Sequence, residues 1–120
     1  MRIRKTYNSV NPELLYDEVR DFVLKQGTII GESKLETYPV PNDTSSFMFR
    51  GSLTFKVQAG QVEAEKECLR AHIVGTAKGE TKVMFDINDE LLSEEKVAAL
   101  QDDLHFIFGS YEADISNEKT

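Results

Sequence analysis

Cysteine, proline, histidine and basic residues are all scarce in this chain, and each shortage closes off a class of explanation. The single cysteine, Cys68, has no partner for an internal disulfide, so the fold must be held by its core and suits a reducing compartment. No apolar run approaches the ~20 residues of a membrane span. The basic start, Met1–Tyr7, lacks the apolar stretch of a secretory signal. A cytoplasmic setting is expected, with no membrane span.

Lysine and arginine number 14 against 21 acidic residues, a formal charge of −7. A general nucleic-acid binder neutralises phosphates with Lys and Arg, so no nucleic-acid partner is expected. The few basic residues gather at Arg2, Arg4 and Lys5, too small a patch to reverse that. Phosphate-binding glycine loops, a nucleophile elbow and zinc spacings are absent. Cys68 and His72 are four residues apart, about 13 Å along a strand, too far for one metal. Asp102 and His105 share a helix face at i, i+3 and read as a solvated pair. No catalytic residue, metal ligand or cofactor is expected.

What is present is a strict alternation in Phe47–Val57. Phe47, Phe49, Gly51, Leu53, Phe55 and Val57 fall on one parity, and Met48, Arg50, Ser52, Thr54 and Lys56 on the other. That period is a strand with one buried and one wet face. Thr54 and Lys56 are expected on the wet face.

Arg2–Asn8 reads as a short edge strand. Pro12–Gln26 reads as a helix, capped by Asn11, opened by Pro12, stapled by Val10 and Leu15 and closed by Gly27 in the left-handed region. Its apolar stripe is Leu15, Val19, Phe22 and Val23. Thr28–Tyr38 is a second strand, interrupted in pattern at Ile30 and Ser33. Pro39–Ser45 contains two prolines and reads as a turn or flap. Ser93 caps a second helix to Phe108, with Leu92 and Val97 as staple. Its stripe is Val97, Leu100, Leu104, Ile107 and Tyr111, widened by Phe108.

Glu63–Arg70 is rich in helix formers, but the residues after it alternate. A three-residue loop at Ala77–Gly79, with glycine left-handed, sets Ile73 opposite Val83, Ala71 opposite Phe85 and Leu69 opposite Ile87. It also sets Arg70 opposite Asp86, a favourable cross-strand pair. A two-residue loop would put Arg70 against Ile87 and His72 against Phe85. The segment is therefore a strand.

The result is one domain over residues 1–120, ordered over 2–111 with a frayed 112–120 tail. Its class is α+β: a single five-stranded antiparallel sheet with two helices on one face, in the order β-α-β-β-β-β-α. This order resembles the helix-grip proteins (the START and Bet v 1-like superfamily) and the half-repeat of TATA-binding protein. That resemblance implies a C-terminal helix closing over a curved sheet around an apolar ligand. On that basis Phe47, Phe49, Phe55, Phe85, Leu104, Phe108 and Tyr111 are the expected lining of a site for an apolar small molecule. The alternative is an interaction or chaperone-like protein, a homodimer or partner binder. It would use an edge strand or the outer sheet face, where Met48, Val74 and Met84 form a small apolar patch.

Overall fold

A computed structural model of the protein describes residues 1–58, 65–76 and 79–113. Its elements are β1 (Arg2–Asn8), α1 (Pro12–Lys25), β2 (Ile29–Val40), β3 (Asp43–Gln58), β4 (Glu65–Thr76), β5 (Glu80–Ile87) and α2 (Glu94–Phe108). One antiparallel sheet holds all five strands in the order β1-β5-β4-β3-β2, with β1 and β2 at its edges.

The helices form where their end signals stand. Asn11 accepts the Glu13 N–H at 2.8 Å, and Gly27 follows α1 at φ +91°. Ser93 accepts the Lys96 N–H at 3.3 Å. Both staples are buried: Val10 with Leu15, and Leu92 with Val97. On α1 the buried stripe is Leu15, Val19 and Val23, joined by Tyr16, which the spacing had not marked. Its ring lies 2.6 Å from where a Cβ on Gly51 would stand, and its hydroxyl meets the Ser33 hydroxyl at 2.6 Å. Gly51 thus leaves the gap in β3 that α1 fills.

On α2, Val97, Leu100, Leu104 and Phe108 are buried, while Ile107 is exposed. The chain tightens into a 3₁₀ turn at Gly109–Tyr111, so Tyr111 leaves the helical stripe and Phe108 ends it. The Phe108 ring packs against Tyr7 with centroids 5.8 Å apart, tying the end of α2 to β1. Glu112 bridges to Tyr7, and Ala113 donates its N–H to Thr6 at 2.8 Å. These two residues dock on the β1 edge where a frayed tail was expected to start; residues 114–120 lie outside the described residues.

The β4–β5 register is the expected one: Ile73 faces Val83, Ala71 faces Phe85, and Leu69 faces Ile87. The loop conformation behind it involves residues 77 and 78, which lie outside the described residues. Arg70 does face Asp86, yet its ion pair goes to Glu67 at 2.9 Å, because Arg2 on β1 takes Asp86 at 2.8 Å.

Two β-bulges explain the breaks in alternation. One lies between Ile30 and Glu32, so Ile30 faces the core and Ile29 does not. A Cβ on Gly31 would meet the Thr54 hydroxyl at 2.7 Å. That hydroxyl accepts the Glu32 N–H at 2.6 Å, which is why Thr54 is buried and not wet. The second bulge follows Phe55 and turns Cys68 into the core beside Leu69. Cys68 and His72 therefore do not share a face.

The expected flap at Pro39–Ser45 is instead the end of a hairpin. Pro39 and Val40 belong to β2, an edge strand that needs no ladder donor on its free side, and Val40 pairs with Asp43. Only Pro41 and Asn42 turn, with Asn42 at φ +68°, the arrangement of a type II turn. The Asp43 carboxylate accepts the Ser45 and Ser46 hydroxyls at 2.7 and 2.8 Å.

Candidate functional site

The helices cover only part of the inner face of the sheet. On the inner face of β3, Gly51, Leu53 and Phe55 are buried, Phe49 is half-buried, and Phe47 is 50% exposed. Sixteen residues at about 3.3 Å each give β3 a contour of about 53 Å, against about 21 Å for the fourteen residues of α1. The β2–β3 hairpin therefore extends past α1 as an arm. Opposed pairs on its inner side are Leu35 with Gly51, Thr37 with Phe49, and Pro39 with Phe47. Leu35 is 40% exposed, and none of these six residues is charged.

The expected ligand-lining residues divide accordingly. Phe55, Phe85, Leu104 and Phe108 meet in one contiguous core with Tyr7, Leu53, Leu69 and Leu100. Phe47 and Phe49 are on the arm, and Tyr111 is half exposed in the 3₁₀ turn. The structure does not bring the seven together. Phe106, on the solvent side of α2, is 88% exposed.

Met48, Val74 and Met84 do share the outer face of the sheet, each half-buried, on a diagonal across β3, β4 and β5. Beside them is a cleft of about 510 Å³ whose lining includes Arg4, Thr6, His72, Val74, Lys82 and Met84. His72 Nδ1 lies 3.4 Å from the Ser52 hydroxyl. A second cleft of about 480 Å³ opens at the sheet end near Met1, Asp86 and Asn88, with Cys68 in its wall. Burial pushes the Cys68 thiol up, away from the thiolate a nucleophile needs.

A carboxyl pair, Glu18 and Asp103, lies between the helices. Lys96 donates to the Gln26 carbonyl at 2.7 Å, and Glu18 meets Asp103, so α1 and α2 run antiparallel along one seam. Hydrogen bonding to Asp103, then burial, then the Asp103 charge push the Glu18 carboxyl up from 4.5 to about 7. Asp103 Oδ2 is buried without a donor among the described residues, and a proton on Glu18 supplies one to that carboxylate. Among the described residues no three His, Cys, Asp or Glu side chains gather closely enough to hold a metal ion. Asp102 and His105 are both exposed.

Sequence reasoning found Phe47 and Phe49 but assigned them to a pocket. It missed Leu35 and Pro39 as their partners, because the Gly31 bulge and the two prolines hid how far β2 runs. Compared with known protein families, curated proteins and solved structures, the chain matches none.

Proposed function

We propose that this chain is a non-catalytic interaction module that associates with a second copy of itself through the inner side of the β2–β3 arm. The carrying observation is the loss of cover along one strand face, from Phe55 at 0% to Phe47 at 50% exposure. A face that is packed at one end and open at the other has the shape of an interface half. Charge argues for a second copy. Two chains of net charge −7 repel, and Leu35, Thr37, Pro39, Phe47, Phe49 and Gly51 form a surface where they meet without opposed like charges. A two-fold contact needs such a self-complementary patch.

Pairing through the open edge of β2 is the weaker route. Glu32, Lys34 and Glu36, the bulge at Gly31 and Pro39 are the devices that blunt an edge strand. The small-molecule reading is set aside because Phe55, Phe85, Leu104 and Phe108 are already one another's neighbours in the core.

The expected mass by sedimentation is twice 13.6 kDa. Phe47→Ala removes an exposed aromatic anchor, worth about 2 kcal/mol, and so weakens the dimer roughly thirtyfold. Phe47→Glu yields monomer with unchanged circular dichroism. A monomeric mass at every concentration, or a dimer indifferent to Phe47→Glu, overturns the reading.

A further inference from the structure

The outer face of the sheet carries a charge pattern opposite to that of the whole chain. The register aligns two cross-strand rows there. One runs Arg4, Met84, His72, Ser52, Lys34, and the next runs Thr6, Lys82, Val74, Arg50, Glu36. Four cations and one carboxylate occupy these ten positions in a chain of net charge −7. Among the described residues, Arg4, Lys34, Arg50 and Lys82 have no ion pair, whereas Arg2 and Arg70 in the adjoining row are paired with Asp86 and Glu67. The helix layer on the other side holds Glu13, Asp17, Glu18, Asp21, Glu94, Glu95, Asp102 and Asp103.

We propose that this outer face binds an acidic amphipathic segment of a partner protein, laid across the strands with its carboxylates on Arg4, Lys82, Arg50 and Lys34 and its apolar side chains on Val74 and Met84. The cleft of about 510 Å³ at the β1–β5–β4 end is the entry to that band. Charge complementarity selects an acidic occupant. Half-buried Val74 and Met84 between the cations select one with apolar residues as well. Five strands about 4.8 Å apart make a band about 19 Å wide, too broad for one small anion. The 5.4 Å pitch of a helix sets one acidic side chain over each successive strand. A single-stranded nucleic acid also brings regular negative charge, but platforms for it stack bases on aromatic side chains. These two rows hold no Phe, Tyr or Trp.

The test is a fluorescence-anisotropy titration of the full chain with a labelled peptide of about 14 residues, long enough to cross the sheet at 1.5 Å per residue. The peptide places Glu and Leu at helical i, i+3 and i+4 spacing, and a labelled oligouridylate serves as the second probe. The wild-type chain binds the peptide, more weakly as salt rises. Arg4→Glu with Lys82→Glu weakens it about tenfold or more, as reversed charges at a complementary surface do. Lys25→Glu with Lys66→Glu makes the same change in net charge away from the band and leaves affinity within about twofold. Equal losses in the two double variants reduce the effect to overall charge and overturn the proposal. Absence of peptide binding overturns it too, as does tighter binding to oligouridylate, which would assign the band to nucleic acid.

Discussion

Among the buried hydroxyls of this fold, those of Thr54 and Tyr7 stand on opposite sides of the same account. The Thr54 hydroxyl accepts the Glu32 N–H that the bulge at Gly31 leaves off the ladder. Replacing Thr54 with Val keeps its shape and removes that acceptor, so the variant loses about 1–3 kcal/mol in urea denaturation. Tyr7 is fully buried and its hydroxyl has no partner among the described residues. Tyr7→Phe therefore keeps or raises the denaturation midpoint, since a buried orphan donor is removed and the ring stays. Burial, then the Glu112 charge, push this phenol up from 10 to about 12. Stability contributed by the protonated form is lost as pH rises from 10 through 12, and the Phe variant lacks that loss. A large destabilisation by Tyr7→Phe would mean the hydroxyl has a partner after all.

At the scale of elements, the seam between α1 and α2 is the joint that weakens as pH rises. Glu18 holds its proton more tightly in the folded chain, at about 7 against 4.5. The folded state binds more protons between those values, so this pair favours folding fully below about 4.5 and loses that contribution as pH rises through 7. Lys25 opposes the shift and Asp21 adds to it, and neither outweighs Asp103. Melting temperature measured from pH 5 to 8 should fall across this window in the wild type. Glu18→Gln keeps a donor toward Asp103 at every pH and flattens the curve; an unchanged slope removes the pair from the account.

The helices were legible in the sequence because Asn11, Ser93, Gly27 and two staples mark their ends with local chemistry. The central strands were legible because Leu53, Phe55, Leu69, Ile73 and Phe85 must all face one side. What escaped was set by non-local contacts. A bulge shifts parity without a local signature, so the inward turn of Ile30 and Cys68 was not readable, and Thr54, rightly placed on the outer face, was expected to be wet when it is buried. Proline marks a break unless the strand is known to be an edge, so the arm was taken for a flap.

For the whole molecule, charge is arranged by layer. Acidic helices lie on one side and a basic band on the other, and the net charge of −7 hides the second. The band was not readable beforehand because Arg4, Lys34, Arg50 and Lys82 are scattered along the chain and become neighbours only through the register of four strand pairs. The arm was half readable. Its aromatics were visible in Phe47–Val57, but only the reach of α1 decides where cover stops.

The position of β1 also has a consequence in time. Arg2–Asn8 pairs only with Glu80–Ile87 among the strands, so about eighty residues must be closed into a loop before it finds its place. The β2–β3–β4–β5 meander needs only short closures. Closing a long loop costs more entropy than closing a short one, and topologies rich in distant contacts fold in milliseconds to seconds. The meander therefore assembles first and β1 arrives last, with β5 a bare strand edge in the interval. Pulse-labelled amide exchange during refolding should protect Leu53 and Ile73 before Ile3 and Lys5. Simultaneous protection would mean that β1 joins the nucleus. While β5 waits uncovered, any extended chain can take the vacant place, so crowding during refolding should divert this protein into aggregates more readily than crowding after it.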